Sequence, residues 1–274
     1  MTKTPGWEIM IVWYFFLGGI AGGAYFTAAI ADNFGSSRDR GVARAGYLLS
    51  LPLVGLCGAL LIADLGVPMR FFNMMREFKF WDPMSIGAWA VGVFGAFTFV
   101  SSVLSFSTSP ALESVRRKIG LIGMLFGFFL ASYTGVLLSA TAVPFWTEAR
   151  LMGALFLASG ASTGMAAISL IMFLIGKSGG EGWEKVKRGD RYSMLIELAL
   201  LAGFLGLLGS AAAPITSGHF APLFWGGLVG VGLVLPLILD FAGHRVKALG
   251  ALSAILVLAG GFLLRYVVLM SVQS

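Results

Sequence analysis

The chain alternates between long apolar stretches and short polar segments, and the apolar stretches are close to the length of a membrane-spanning helix. A bilayer core about 30 Å thick requires roughly 20 apolar residues in a helix. The alternating strand pattern of about ten residues that a transmembrane β-barrel requires is not found. We therefore predict an all-α integral membrane protein with eight transmembrane helices. The predicted spans are residues 9–31, 45–65, 84–106, 119–142, 151–176, 193–213, 223–240 and 249–270.

The composition agrees with this class. Of the 274 residues, 58% are hydrophobic and 12% are charged, and the mean hydropathy is +0.89. Because soluble domains contain roughly 25% charged residues, the sequence excludes an ordinary soluble enzyme, a disordered protein and a nucleic-acid-binding domain. The first apolar stretch is long enough to span a bilayer, so we predict a helix there and not a cleaved signal peptide.

Lysine and arginine are distributed unequally between the two sides of the predicted fold. Eight spans place both termini on one side, where five cations lie, whereas the opposite loops contain thirteen. Because cytoplasmic loops are enriched in Lys and Arg, we predict that both termini are outside. Six of the seven tryptophans lie toward the outer ends. An aromatic belt would decorate both interfaces, so this asymmetry suggests an outer docking surface.

Two glycine-rich segments resemble each other. The stretch FLGGIAGGA begins at Phe16, and FLASGASTGMA begins at Phe156, four spans later. This weak internal repeat predicts one membrane domain built from two four-helix bundles in the same orientation, residues 1–142 and 143–274.

Four charged residues lie within or at the ends of spans, where charge is costly and often functional. Glu197 and Arg265 fall inside their spans, and both could instead extend to the lipid head groups. Asp240 ends the seventh span, where a solvated helix end is the simpler explanation. Asp64 ends the second span and precedes Arg70, so it could either handle protons or form a structural ion pair with Arg70.

The sequence offers few ligands for a metal centre. The two histidines, His219 and His244, fall in loops, and Cys57 is the single cysteine. Intramembrane haem usually requires axial histidines, and an iron–sulfur cluster requires about four cysteines. We therefore expect no haem, no iron–sulfur cluster and no metal in this chain. Any redox chemistry would use a diffusible apolar cofactor, with metal centres on a partner.

Several polar side chains are predicted to lie at a similar depth in the outer half. Span 1 runs inward and contributes Trp13 and Tyr14, whereas spans 2 and 4 run outward and contribute Asp64 and Tyr133. Two phenols and a carboxylate could bind a quinone head group, because phenols hydrogen-bond carbonyl oxygens and a carboxylate exchanges protons. The alternative for each tyrosine is an interfacial anchor, although Tyr133 is deep for that role.

These residues occur in stretches that resemble the NrfD-type family, the polysulfide-reductase-like membrane subunits of respiratory oxidoreductases. The similar stretches are YFFLGGIAGGAYF (14–26), LLIADLGVPMRFFNMMR (60–76), PMSIGAWA (83–90), YTGVLLSATAVPFW (133–146) and GGFLLRY (260–266). The resemblance implies a haem-free anchor in the prokaryotic cytoplasmic membrane that oxidises menaquinol or ubiquinol, or reduces the quinone. It also implies a quinone contact at Tyr133, and it aligns Tyr14 with a histidine of some members.

The resemblance further implies partners for this subunit. Electrons would pass to or from a docked four-cluster iron–sulfur subunit, which is connected to a molybdopterin enzyme or a multihaem cytochrome. The loop that faces that subunit would present Arg70, Arg76, Lys79 and Trp81. Glu197, Asp240 and Arg265 would be candidates for a proton path.

Two other functions are compatible with parts of this pattern. A secondary transporter could use the internal repeat and the intramembrane charges Glu197, Asp240 and Arg265 for ion coupling. A passive anchor would only hold a partner at the membrane. The predicted convergence of Asp64 and Tyr133 favours the quinone-reactive subunit over both.

Overall fold

A computed structural model describes residues 9–64, 76, 78–79, 81–141, 143–242 and 247–273. Within these ranges the protein is a bundle of long helices without strands. The spans are α1 (Ile9–Phe34), α2 (Arg40–Asp64), α3 (Pro83–Leu104), α4 (Pro110–Ser139), α5 (Met152–Leu174), α6 (Glu181–Leu208), a π-helix (Leu223–Val234) continued by α7 (Leu235–Ala242), and α8 (Lys247–Met270). Short helices, Pro144–Thr147 and Ala213–Thr216, follow α4 and α6.

The predicted fold class is confirmed, since eight helical segments of the described residues are long and apolar enough to cross a membrane. Several helices extend beyond the predicted apolar cores at one end. The fourth begins at Pro110 and the sixth at Glu181, about ten residues before the predicted spans at 119 and 193. These added turns contain charged residues, which a helix can carry once it has left the apolar layer.

The two ends of the bundle differ in chemistry. We call one the basic end, because it presents Arg38, Arg40, Arg117 and Lys185. We call the other the tryptophan-rich end, because it contains Trp81, Trp89, Trp146 and Trp225. Successive spans run in opposite directions between them, so the tryptophan-rich end collects the starts of odd-numbered spans and the ends of even-numbered ones.

Helices α1 and α5 cross at the centre of the bundle through the two glycine-rich segments. A Cβ atom on Gly23 would lie 1.9 Å from the carbonyl oxygen of Gly160, and one on Gly164 would lie 2.4 Å from the carbonyl carbon of Gly23. Glycine at these positions permits direct backbone contact. The segments predicted to be repeats therefore pack against each other. The division into two four-helix bundles stays a prediction.

The seventh span departs from regular α-helix. Twelve residues, Leu223–Val234, are π-helical, which is rare at this length. A Cβ atom on Gly232 would lie 2.4 Å from the Cα atom of Gly260 in α8. The π-helical segment and α8 are thus held together by a glycine–glycine contact.

Candidate functional site

A cavity of about 230 Å³ lies between the first four helices at the tryptophan-rich end. Its walls are mainly apolar, and its polar side chains include Tyr14, Asp64 and Tyr133. The other lining residues are Ile11, Phe15, Gly58, Leu61, Met84, Gly87, Ala88, Val91, Gly92 and Leu137. The three polar residues predicted from the sequence are therefore brought to one cavity.

The alternating direction of the helices explains this convergence. Tyr14 lies one turn after the start of α1, Asp64 is the last residue of α2, and Tyr133 lies in the last two turns of α4. The intervening helix α3 begins at Pro83, preceded by Asp82, whose carboxylate accepts a hydrogen bond from the Met84 amide at 3.1 Å. These positions all fall at the same end of the bundle.

Tyr133 is held in place by the first turn of α3. Its hydroxyl donates a hydrogen bond to the carbonyl oxygen of Pro83. A Cβ atom on Gly87 would lie 2.8 Å from the ring of Tyr133, so the absence of a side chain there makes room for the ring. Phe129, one turn earlier on α4, stacks on the ring with a centroid separation of 5.3 Å. These contacts fix the phenol at the cavity wall.

Tyr14 differs from Tyr25, the other buried tyrosine of α1. Its side chain is only 2% exposed, and within the described residues its hydroxyl makes no hydrogen bond. Tyr25, by contrast, forms a hydrogen bond of 2.7 Å with Ser101. The Tyr14 hydroxyl is therefore available to a ligand in the cavity, either as donor or as acceptor.

Asp64 is half-buried at the end of α2 and lines the same cavity. Its predicted ion-pair partner, Arg70, lies outside the described residues. Trp13, which was predicted with this group, does not line the cavity. It is 44% exposed and packs on Phe262 with a centroid separation of 4.7 Å. Trp13 thus faces α8, on another side of α1.

The segment before α3 presents exposed residues at the same end. Arg76, Lys79 and Trp81 are all exposed. Large apolar side chains accompany them, since Trp81 is 68% and Phe78 56% exposed. We call Arg76, Phe78, Lys79 and Trp81 the loop surface. It directly precedes the helix whose first turns line the cavity.

Two of the charges predicted inside spans are buried near each other in the other half of the bundle. Arg265 is fully buried and donates to the Phe15 carbonyl at 3.2 Å and to the Ser159 hydroxyl at 2.9 Å. Glu197 is 2% exposed, and its carboxylate accepts a hydrogen bond from Ser162 at 2.9 Å. Ser159 and Ser162 are neighbours on one face of α5. The alternative prediction, that these two side chains extend to the lipid head groups, is therefore wrong.

The third predicted charge, Asp240, is also buried. It is 2% exposed and accepts a hydrogen bond from Lys187 at 2.7 Å, so the solvated helix end is wrong. Asp190, which the sequence analysis missed, is likewise 2% exposed, and no hydrogen-bond partner is found for its Oδ1 atom among the described residues. Asp190 lies on the same face of α6 as Glu197, two turns away.

We call Asp240, Lys187, Asp190, Glu197, Ser162, Ser159 and Arg265 the polar chain. It begins near the basic end and reaches Phe15, which also lines the cavity. The spacing of Asp190 and Glu197, seven residues apart on one helix, was the available signal. It was missed because the predicted span started at residue 193, which assigned Asp190 to a loop.

In the ranges that the structure describes, no group of three or more His, Cys, Asp and Glu side chains is arranged to hold a metal ion. The polar groups that do converge are phenols, carboxylates, serines, one guanidinium and the ammonium of Lys187. Such groups bind an organic ligand or carry protons.

The fold and these sites define a multi-pass helical membrane protein with a buried cavity and buried charges. The family described as "Polysulphide reductase, NrfD" matches residues 1–274. The protein belongs to this family, as the sequence motifs predicted. The C subunit of polysulfide reductase from Wolinella succinogenes is 32% identical, over 99% of the present sequence and 96% of the relative. The NrfD homolog of Haemophilus influenzae is 30% identical, over 97% and 94%.

The NrfD protein of Escherichia coli is 26% identical, over 97% of the present sequence and 95% of the relative. Each alignment covers nearly the whole of both proteins, so the similarity includes all eight spans. The family and these relatives make the protein a membrane subunit of a redox enzyme complex.

Proposed function

We propose that the cavity binds the head group of menaquinone or ubiquinone and that this subunit exchanges electrons between the membrane quinone pool and a docked iron–sulfur subunit. The observation that carries the proposal is the convergence of Tyr14, Asp64 and Tyr133 on one largely apolar cavity. The size agrees, because an apolar cavity of about 150 Å³ accommodates benzene, and this one has about 230 Å³.

The side chains suit both oxidation states of the ligand. The Tyr14 hydroxyl can donate a hydrogen bond to a carbonyl oxygen. The Tyr133 hydroxyl already donates to Pro83, so toward the ligand it acts as an acceptor. Asp64 can take a proton from a hydroxyl of the ligand and release it at the tryptophan-rich end. A bound quinol releases two electrons, which pass to the docked subunit, and two protons, which Asp64 can accept and release one after the other.

The loop surface supports the proposed route of the electrons. Arg76, Phe78 and Trp81 are exposed, and arginine and aromatic residues are enriched in protein interfaces. The loop surface adjoins the first turns of α3, which line the cavity. A partner docked there would bring its nearest cluster close to the ligand. We propose an iron–sulfur subunit at this surface, connected to a molybdopterin enzyme or a multihaem cytochrome.

The hydrogen-bonding role of Tyr14 gives the sharpest test of the quinone site. In membranes that contain the intact complex, Tyr14→Phe should raise the KM for a soluble menaquinol or ubiquinol analogue about tenfold, since one hydrogen bond to the ligand is lost. Tyr25→Phe is the matched control, because Tyr25 is on the same helix but does not line the cavity. Equal KM values for wild type and Tyr14→Phe would remove Tyr14 from the site.

Asp64→Asn tests the proton acceptor separately. The change keeps the shape of the side chain and should lower kcat by at least about a hundredfold if Asp64 accepts the proton. Assembly of the complex, measured by co-purification of its subunits, should be retained. Loss of assembly with normal specific activity of the remaining complex would instead indicate a structural ion pair.

The polar chain supports proton movement coupled to this electron transfer. Asp240, Glu197 and Arg265 are the predicted members, and Asp190 adds a carboxylate between the first two. Buried carboxylates are typical of intramembrane proton relays, and Ser162 and Ser159 continue this chain from Glu197 to Arg265. In proteoliposomes, Glu197→Gln and Asp190→Asn should each lower the number of protons translocated per electron while quinol oxidation continues. An unchanged number of protons per electron in both variants would show that the polar chain does not carry these protons.

A further inference from the structure

A second, larger opening lies at the basic end, far along the helices from the cavity. It is a groove of about 520 Å³ between α1, α4, α5 and α6. Its apolar walls include Phe26, Ile30, Phe34, Phe128 and Met165. Its polar end contains Asp39 and Lys185. We infer that this groove binds one phospholipid whose head group carries a primary ammonium, as phosphatidylethanolamine does.

The groove has the shape of an acyl-chain site. Phe34 is 74% exposed and Ile30 45% exposed, so one wall is open to the lipid around the bundle. Small residues form the floor, among them Ala31, Ala161 and Gly189. A long apolar tail can therefore enter from the side and lie lengthwise along α1.

Asp39 supplies the specific contact. Its side chain is almost completely buried, and its Oδ2 atom accepts hydrogen bonds from the Ser36 amide at 2.7 Å and from Lys185 at 2.9 Å. No hydrogen-bond partner is found for its Oδ1 atom within the described residues. A buried carboxylate oxygen without a partner is costly. The Oδ1 atom faces Gly182 of α6, which also lines the groove, so an N–H donor of a ligand satisfies it by entering between these two residues.

The local charges favour a zwitterionic ligand. Arg38 pairs with Glu181 at 2.8 Å, and Lys185 contacts both Glu181 at 3.0 Å and Asp39 at 2.9 Å. Two cations thus balance two carboxylates. Lys185 has three N–H donors, and two are used here, so the third can bind a phosphate oxygen. A ligand that places an ammonium beside Asp39 and a phosphate beside Lys185 adds one charge of each sign, so the site remains neutral.

The need for an N–H donor distinguishes between common head groups. The ammonium of phosphatidylethanolamine has three N–H bonds and can donate to Asp39. The trimethylammonium of phosphatidylcholine has none. An anionic lipid such as phosphatidylglycerol has no cation to place beside Asp39. The groove should therefore prefer phosphatidylethanolamine over both when their acyl chains are identical.

The test is lipid binding to the delipidated, purified complex, measured by native mass spectrometry. The three lipids are added with the same acyl chains. Wild type should bind one phosphatidylethanolamine about tenfold more tightly than phosphatidylcholine, as expected for a hydrogen bond to a charged group. Equal binding of the two lipids would overturn the inference.

Two variants locate the site. Asp39→Asn removes the charge. Gly182→Ala keeps the carboxylate but adds a methyl group 3.0 Å from its Oδ1 atom, and alanine is well tolerated in a helix. Both should abolish the preference for phosphatidylethanolamine. Glu113→Gln is the control, because Glu113 pairs with Arg40 and Arg117 at the same end but does not line the groove.

Two further outcomes would overturn the inference. One is a preference retained in both variants. The other is a quinone that co-purifies with wild type and with Tyr14→Phe but is lost from Gly182→Ala, since the groove would then be a quinone site. Loss of the quinone from Tyr14→Phe but not from Gly182→Ala is the expected result, since the quinone then occupies the cavity and not the groove.

Discussion

Arg116 and Asp32 form a buried ion pair that joins the start of α4 to the end of α1. The guanidinium donates twice, from Nε to Oδ2 at 2.8 Å and from Nη2 to Oδ1 at 2.7 Å. The side chains are 6% and 1% exposed. Asp32→Asn should lower the free energy of unfolding by about 3–5 kcal/mol, because it leaves a buried arginine without its counter-charge.

Thermal unfolding in detergent measures this effect. Glu181→Gln is the comparison, because its pair with Arg38 is exposed on both sides and exposed pairs contribute little. A loss of stability in Glu181→Gln as large as that in Asp32→Asn would contradict the special importance of the buried pair.

The depth of a site residue in the bundle could be predicted from the sequence, because it follows from the direction of its helix. Tyr14, Asp64 and Tyr133 could be grouped because alternating spans return to the same depth. Trp13 was grouped for the same reason, but it faces α8, since depth does not fix the direction of a side chain around a helix. The ion pair of Asp32 with Arg116 was not predicted, because Arg116 was assigned to a loop outside the membrane.

The crossing of α1 and α5 allows a matched pair of glycine substitutions. Gly23→Ala places a methyl group 1.9 Å from the Gly160 carbonyl oxygen, where only a shift of the backbone relieves the clash. Gly19→Ala places it 2.6 Å from Nη2 of Arg265, the end of a side chain. Alanine has the same helix propensity in both, so the difference isolates the crossing.

Gly23→Ala should therefore abolish accumulation of the folded protein, whereas Gly19→Ala should fold and disturb the hydrogen bonds of Arg265. Detergent-extracted yield and size-exclusion chromatography measure the first effect, and the proton-to-electron ratio measures the second. Normal yield of Gly23→Ala would contradict the close contact of the two helices.

At the scale of helices, the number and order of spans followed from the apolar pattern, but their extents did not. Hydropathy reports the part of a helix that lies in the apolar layer, so the charged first turns of α4 and α6 were omitted. The π-helix Leu223–Val234 has no counterpart in the pattern, because its composition suits an ordinary apolar helix equally well. Its glycine contact with α8 depends on tertiary packing, which hydropathy does not describe.

The orientation of the whole molecule in the membrane is predicted from the unequal distribution of cations. Cys57 is the single cysteine of the sequence. Its replacement by serine therefore gives a cysteine-free protein into which one new cysteine at a time can be introduced. Ser217→Cys at the tryptophan-rich end should react with an impermeant maleimide in intact cells. Thr108→Cys at the basic end should react only after the cells are permeabilised. The reverse pattern would invert the topology and place the partner subunit in the cytoplasm.

The contact of Arg265 with the Phe15 carbonyl has a consequence for how the two halves of the molecule communicate. One stretch of α1 is the common wall of the cavity and the polar chain. Phe15, Glu197 and Arg265 are all buried, and charges interact more strongly in a protein interior than in water. A change of charge on one side of this wall therefore affects the other side. Thermodynamic linkage makes such coupling mutual. A ligand in the cavity that changes the proton affinity of Glu197 by some factor is itself affected by that proton. Its own affinity for the cavity changes by the same factor when Glu197 gains or loses the proton.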